Sequence, residues 1–188
     1  AGVKLLTVET EDGKLRPDDI APFMEVKGFV HANQPGMVSI SNVTENGTVY
    51  SLEELRALTA EAHRHGLWVH LDGARIANAA AALGVSLREA TRDVGVDVLS
   101  FGGTKNGLLM GEAVVFFGKE KARFAENFRK QNAQLFSKMR FVAAQFIPYF
   151  EQKLWYSNAH HANQMAQKLK SLLEPLPQVA LARGVEAN

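Results

Sequence analysis

The sequence predicts an α/β protein with a mostly parallel sheet between helices, and three features carry that prediction. Short apolar runs alternate with capped helical segments through roughly the first 120 residues, which is the pattern of strand–helix units. The apolar runs have few polar positions, as strands covered on both faces require. With 188 residues, 46% of them apolar, the chain can form one globular domain or part of a larger one.

In chain order, the first half of the sequence gives a short apolar run, a helix, a strand and a capped helix. Residues 4–10 contain β-branched side chains and are followed by an acidic turn, and residues 15–28 fit a short helix. Residues 37–44 are a strand candidate. Ser51 has the properties of a helix N-cap, and Glu54 completes a capping box for a helix that ends at the next glycine.

The second half continues this alternation and then becomes helical. The apolar strand of residues 67–72 leads into an alanine-rich helix, and Ser86 with Glu89 gives a second capping box. Residues 135–173 are expected to be mostly helical, with breaks near Pro148 and around the Tyr-Ser-Asn triplet. The remaining predicted elements are strands within residues 96–101, 112–118 and 178–183 and a helical region that begins within residues 119–131.

Composition and charge exclude several classes of function. Formal net charge is +1, from 21 Lys and Arg against 20 Asp and Glu, so nucleic acid and membranes are not expected partners. The absence of cysteine excludes disulfides, thiolate metal sites and cysteine nucleophiles. No apolar run is long enough to span a membrane, and the first residues lack the layout of a signal peptide. We therefore expect a cytoplasmic protein.

Two candidate site residues follow predicted strands, at the carboxyl ends where ligands gather in open α/β sheets. Asp72 closes the strand of residues 67–72, and Lys105 lies in the Gly-Gly-Thr-Lys-Asn-Gly stretch after the strand of residues 96–101. This stretch matches neither a P-loop, which needs Gly-Lys-Ser/Thr, nor the G-x-G-x-x-G dinucleotide pattern. Two interpretations remain open: a lysine whose amine forms a Schiff base, and a solvated lysine in a turn.

The combination of Asp72 with Lys105 favours the Schiff-base interpretation. Pyridoxal phosphate withdraws electrons through its ring while the pyridine nitrogen is protonated, and a neighbouring carboxylate holds that proton in place. Alone, Asp72 is more often a turn or helix-capping residue. Together, an aspartate and a lysine that follow two strands supply partners for both ends of such a cofactor.

The stretches around these residues resemble the low-specificity L-threonine aldolases. The matching motifs are DGAR at residues 72–75, GGTKNG at 102–107 and GEAVVFF at 111–117, and TENGTVY at 44–50 and SKMRF at 137–141 resemble one branch of that family. The resemblance covers nearly the whole chain. It implies a pyridoxal-phosphate enzyme with the aspartate aminotransferase fold (fold type I), within the aromatic amino acid β-eliminating lyase and threonine aldolase group.

The resemblance implies a role for each of the motif residues. Lys105 would form the Schiff base with pyridoxal 5'-phosphate, and Asp72 would pair with the pyridinium nitrogen. Arg75 would lie near the cofactor and the substrate carboxylate. Arg140 and Lys138 would reach the substrate site, in the same or a neighbouring subunit. The alternative for these last two is a basic face on a solvated helix.

Other polar residues keep two interpretations. Thr104 could hydrogen-bond the cofactor phosphate or be satisfied within its own turn. Many family members have a histidine where this chain has Glu45, which could accept the proton of the substrate hydroxyl or be a solvated turn residue. His70 shares a strand face with Asp72 and lies either beneath the cofactor or as a buried structural side chain. His160 and its neighbour are expected at the surface and fit no metal motif.

The implied reaction is retro-aldol cleavage of L-threonine or L-allo-threonine to glycine and acetaldehyde, in a homodimer or homotetramer with shared active sites. The alternative reactions on the same scaffold are β-elimination, transamination and serine hydroxymethyl transfer. The alternative from another class is a non-catalytic module. Family members are longer, so the chain is expected to be a fragment that is poorly active alone. Residues 1–145 would be the C-terminal portion of the large cofactor domain, and residues 146–188 the bridging helix and start of a small α+β domain.

Overall fold

A computed structural model describes residues 3–188, and a four-stranded sheet lies at its centre. Its strands are Met37–Ser41 (β1), Trp68–Gly73 (β2), Val98–Gly102 (β3) and Glu112–Phe116 (β4), which neighbour one another in that order. Strands β1, β2 and β3 are parallel, and β4 runs antiparallel beside β3. The predicted mostly parallel sheet is therefore confirmed.

Helices connect the first strands and make up most of the chain after β4. The α-helices are Ala21–Met24 (α1), Leu52–Arg64 (α2), Ile76–Leu83 (α3), Ala125–Gln131 (α4), Met139–Ala144 (α5), Phe146–Glu151 (α6) and Leu154–Leu173 (α7). Single turns of 3-10 helix lie at Pro17–Asp19, Arg92–Val94 and Thr104–Asn106. Within the described residues, none of these helices combines the length and the hydropathy that crossing a membrane requires.

Helix α2, which connects β1 to β2, begins at the predicted capping box. The Ser51 hydroxyl accepts from the Glu54 backbone N–H at 3.1 Å, and the Glu54 carboxylate accepts from the Ser51 N–H at 2.7 Å. These bonds satisfy N–H groups that a helix end otherwise leaves without partners. Leu55, Leu58 and Ala62 recur at helical spacing and are fully buried, so they fix the face that α2 turns to the sheet.

The core lies on one face of the sheet. Alternate strand residues point into it together with side chains from α2 and α3: Val38, Ile40, Val69, Leu71, Leu99, Leu55, Leu58, Ile76 and Ala80. On the opposite face, Met37, Trp68 and Val114 remain 48%, 40% and 61% exposed. Within the described chain, helices therefore cover one of the two faces that the sequence predicts to be covered.

Two apolar runs do not form strands: the run of residues 4–10 and the predicted strand of residues 178–183. Residues 4–10 have no regular secondary structure, and Leu5 is exposed. Residues 178–183 contain a turn and a bend and belong to no sheet. An apolar run becomes a strand only where a neighbouring strand completes its backbone hydrogen bonds, and periodicity alone does not reveal that neighbour.

The second capping box forms its bonds without starting an α-helix. The Ser86 hydroxyl accepts from the Glu89 N–H at 3.2 Å, and the Glu89 carboxylate accepts from the Ser86 N–H at 2.8 Å. The Thr91 hydroxyl then donates to the Leu87 carbonyl at 2.6 Å. Such side-chain bonds compete with the helical ladder, and the segment continues as turns into the 3-10 helix at Arg92–Val94.

The predicted break near Pro148 is confirmed, and the break around the Tyr-Ser-Asn triplet is wrong. Helix α5 ends before Gln145, and Pro148 lies in the first turn of α6, where its missing N–H removes no helical bond. The triplet, residues 156–158, lies inside α7. The second break instead falls at Lys153, whose left-handed backbone (φ 55°) separates α6 from α7.

Candidate active site

The carboxyl edge of the sheet brings the loops with the predicted site residues together. Asp72 is the register partner of Ser41 in β1 and of Ser100 in β3. The loops that contain Glu45, the turn after Asp72 and the turn with Lys105 therefore leave the sheet side by side. Crevices beyond such parallel strand ends are the usual ligand sites of α/β sheets.

Asp72 is exposed at the end of β2, and only part of its carboxylate is engaged. Its Oδ1 atom accepts from the Ala74 N–H at 3.0 Å, and among the described residues no group bonds to Oδ2. The turn after Asp72 packs closely on the end of β3, because a Cβ at Gly102 would lie 2.6 Å from the Ala74 Cα and carbonyl oxygen. Glycine at position 102 therefore allows the two strand ends to approach.

Lys105 is exposed at the middle of the 3-10 turn that follows β3. Within the described residues it makes no ion pair, so its amine faces solvent rather than an internal partner. The Thr104 hydroxyl accepts from the Gly111 N–H at 3.1 Å, and the Thr104 N–H donates to the Glu112 carboxylate at 3.3 Å. Thr104 is thus engaged within its own loop, and its hydroxyl O–H can still donate a hydrogen bond.

Glu45 and Arg75, which the sequence placed separately in the site, form an ion pair. Arg75 Nη1 lies 3.0 Å from Glu45 Oε1, which joins the loop after β1 to the residue before α3. The Glu45 side chain is 79% exposed, and that of Arg75 is more sheltered. The guanidinium is the only group that the structure assigns to Glu45 among the described residues.

His70 lies between two serines on the open face of the sheet. Its Nδ1 is 2.8 Å from the Ser39 hydroxyl of β1, and its Nε2 is 2.9 Å from the Ser100 hydroxyl of β3. Burial lowers the pKa of His70, and the nearby Asp72 carboxylate opposes that shift. A neutral imidazole with both nitrogens engaged fits the structural interpretation of this residue.

Within the described residues, the basic residues near α5 and the histidines of α7 make no hydrogen bond or ion pair with the other candidate site residues. Lys138 and Arg140 are exposed, and the Arg140 guanidinium lies over the ring of Phe141, 4.6 Å from its centre. His160 stacks on Tyr156 with ring centres 5.5 Å apart. Among the described residues, no group of His, Asp and Glu side chains could hold a metal ion.

The sequence did not single out the residue that fixes the Lys105 turn. Asn106 is buried, and its side-chain amide donates to the Tyr149 hydroxyl at 2.7 Å and to the Trp155 carbonyl at 2.8 Å. Asn158 of α7 donates to the Asn106 carbonyl at 3.0 Å. An amide in a glycine-rich turn was the available signal, but its partners lie in helices whose packing the sequence does not reveal.

Comparisons with known proteins agree with this architecture. The family model described as beta-eliminating lyase matches residues 1–188. Low-specificity L-threonine aldolases of Pseudomonas sp. and of Pseudomonas aeruginosa are each 44% identical to the chain over 187 residues. These matches cover 100% of this chain and 54% of each relative, so the chain spans about half the length of the curated relatives it matches.

Solved structures show the same relationship. A Leishmania major threonine aldolase superposes with a TM-score of 0.92 at 33% identity, over 100% of this chain and 54% of that one. A putative L-allo-threonine aldolase of Listeria monocytogenes gives a TM-score of 0.64 at 18% identity, over 92% of this chain and 45% of that one. The predicted fold type I and the resemblance to threonine aldolases are therefore confirmed.

Proposed function

Because the chain belongs to the beta-eliminating lyase family, we propose that it acts in the pyridoxal-phosphate-dependent cleavage of L-threonine or L-allo-threonine to glycine and acetaldehyde. The observation that carries this proposal is the placement of an exposed carboxylate, Asp72, and an exposed amine, Lys105, after adjacent parallel strands. The names of the curated relatives, low-specificity L-threonine aldolases, support this substrate class over the rival reactions of the same scaffold.

The side chains at the carboxyl edge fit pyridoxal phosphate in their chemistry. Asp72 offers a carboxylate oxygen without a partner in the described chain, as a protonated pyridine nitrogen requires. Lys105 offers a solvent-facing amine for covalent attachment, and Arg75 offers a guanidinium for a carboxylate. When bound, the cofactor supplies an electron-accepting ring conjugated to the substrate amine.

The candidate site residues then have separate roles in the reaction. Asp72 holds a proton at the pyridine nitrogen, so positive charge is in place where electrons arrive. Arg75 binds the α-carboxylate and orients the substrate, for which it exchanges Glu45 for the substrate carboxylate. Glu45, once released, is the group that accepts the proton of the β-hydroxyl. Thr104 donates its hydroxyl hydrogen to the cofactor phosphate.

We also propose the remaining features of the whole protein. Lys138 and Arg140 reach the substrate site of a neighbouring subunit in a homodimer or homotetramer with a cytoplasmic location. The exposed apolar side chains beside them in the sequence, Leu135, Phe136 and Phe141, support such an interface. Residues 1–145 contribute to the large cofactor domain, and residues 146–188 form the bridging helix and the start of the small domain.

Acetaldehyde release from L-threonine by the full chain with pyridoxal phosphate tests the proposal. We expect native chain and Lys119→Ala, which removes an exposed lysine after β4, to release acetaldehyde at similar, low rates. Lys105→Ala is expected to lose this activity, because it removes the attachment point. Equal activity of Lys105→Ala and Lys119→Ala, or serine cleavage that depends strictly on tetrahydrofolate, would contradict it.

A further inference from the structure

Asn106 is buried in a turn whose neighbouring residues are exposed. It is 6% exposed, whereas Lys105 before it lies at the surface. The amide nitrogen of its side chain has two hydrogens, and both are used, by the Tyr149 hydroxyl of α6 and by the Trp155 carbonyl of α7. Two engaged donors permit one side-chain orientation.

The backbone beside Asn106 is held as firmly as its side chain. Asn158 of α7 donates to the Asn106 carbonyl at 3.0 Å. Gly107 has a left-handed backbone (φ 108°), and a Cβ there would lie 2.5 Å from the Asn158 side-chain nitrogen. Helix α7 therefore contacts both the residue after Lys105 and the glycine that ends the turn.

These contacts determine where Lys105 emerges from the fold. The Asn106 N–H donates to the Gly103 carbonyl at 3.1 Å and closes the turn that contains Lys105. One end of this turn continues from β3, and the other end is Asn106. Among the described residues, the position of the Lys105 backbone therefore depends on β3 at one end of the turn and, through Asn106, on α6 and α7 at the other end.

We propose that Asn106 is a positioning residue: through it, α6 and α7 set the place of the Lys105 amine relative to Asp72. This inference rests on the proposed role of Lys105. Removing the Asn106 amide leaves the buried Tyr149 hydroxyl and the Trp155 carbonyl without their donor, so the turn shifts to restore hydrogen bonding. Displacement of a reacting group by about 1 Å can slow a reaction by about a hundredfold.

The test measures how fast Lys105 attaches pyridoxal phosphate in the full chain. The amine nitrogen bonds to the aldehyde carbon, the aldehyde oxygen leaves as water, and borohydride reduces the resulting carbon–nitrogen double bond. Mass spectrometry of the Lys105 peptide over time gives the rate of attachment. We expect Asn106→Ala to attach about tenfold more slowly than the native chain.

A matched control separates positioning from loss of stability. Asn163 of α7 is also buried, and it exchanges two hydrogen bonds with Asn78 of α3, at 3.1 and 2.9 Å, away from the Lys105 turn. Asn163→Ala therefore removes a similar buried amide, here from α7, the helix that also binds Asn106, and we expect its attachment rate to stay within about twofold of native. Unfolding by denaturant measures the stability of both variants, and we expect them to lose comparable amounts.

The outcomes distinguish this inference from the proposed function. If the two variants slow attachment equally, or if neither does, Asn106 is a structural residue only and the inference is overturned. If the native chain is never labelled at Lys105, the proposed function fails and the inference fails with it. Should Asn106→Ala not fold, Tyr149→Phe decides in its place: slower attachment supports positioning, and a native rate overturns it.

Discussion

The two ends of β3 use charged side chains in opposite ways. At its amino end, Asp97 is 4% exposed and its carboxylate accepts hydrogen bonds from the Val69 N–H, His63 and Lys121. Beyond the carboxyl end, Lys105 is exposed, and so is Asp72 near the carboxyl end of the adjacent strand β2. The difference indicates which charges hold the fold together and which remain available to a ligand.

At the amino end of β3, the Asp97 charge is buried and stabilised by hydrogen bonds. Burial alone raises the pKa of the Asp97 carboxyl, but hydrogen bonds from Lys121, His63 and the Val69 N–H outweigh burial and hold that pKa below its usual value. The carboxylate joins α2, β2 and the segment after β4 at one point. No such set of partners surrounds Asp72 among the described residues.

The largest expected effect is on the free energy of unfolding, which we expect to depend on Asp97 at the amino end of β3 much more than on Asp72 at the carboxyl edge of the sheet. Asp97→Ala should lower the free energy of unfolding by about 3 kcal/mol, because it leaves a buried N–H, the Lys121 amine and the His63 ring without their acceptor. Denaturant unfolding of native and variant chains measures this. Asp93→Ala, which removes only an exposed ion pair with Arg88, and Asp72→Ala should each cost about 0.5 kcal/mol or less. A loss at Asp72 as large as that at Asp97 would remove the distinction.

The next effect tests how closely the strand ends must pack at the carboxyl end. Gly102→Ala places a Cβ against the Ala74 backbone, which cannot move without shifting the turn after Asp72, so we expect a cost of about 1–3 kcal/mol. Gly36→Ala is the control, since a Cβ at that position would have no described atom within 4 Å beyond its chain neighbours. Thermal unfolding compares the two, and equal transition temperatures would show that the strand ends separate easily.

A smaller effect concerns the charge balance around His70. Burial lowers the pKa of His70 below 6.5, so the folded chain binds this proton less readily than the unfolded chain, and stability falls as the pH drops from 6.5 through the folded pKa. Histidine NMR signals follow this titration directly. Asp72→Asn should lower the pKa of His70 further, because the carboxylate opposes the effect of burial. An unchanged or higher pKa in that variant would mean that Asp72 exerts no field at His70.

The smallest expected effect is on the pair between Glu45 and Arg75. Because Glu45 is largely exposed, Glu45→Gln should change the free energy of unfolding by about 0.5 kcal/mol or less. Urea unfolding at two salt concentrations measures this, and a larger, salt-sensitive loss would make the pair a structural one like that of Asp97. A small change leaves Arg75 available to exchange its partner for a substrate carboxylate.

Sequence reasoning recovered most of the fold because the signals are local. The capping box at Ser51, the apolar run that forms β2 and the motifs after β2 and β3 each depend on neighbouring residues. The apolar runs of residues 4–10 and 178–183 do not form strands, because a strand depends on its neighbour in the sheet. The burial of one face at Val38 and exposure of the other at Met37 likewise depend on which helices reach the sheet.

The sequence predicts which residues form the site, but it does not predict the contacts that hold them in place. Asp72 and Lys105 are recognisable because their residue types follow strands with glycines beside them. The bonds from Asn106 to α6 and α7 join residues more than 40 positions apart, and the pairing of Glu45 with Arg75 depends on the conformation of two loops. Such contacts follow from tertiary packing, which one sequence does not specify by pattern alone.

The most direct test is to find which lysine pyridoxal phosphate labels. The full chain is incubated with the cofactor, reduced with borohydride, digested and mapped by mass spectrometry. The account predicts a label on Lys105 and none on Lys121, whose amine is engaged by Asp97 at the other end of β3. A label that is absent from Lys105, or that is spread equally over both lysines, would contradict the division between a structural and a chemical end of the strand.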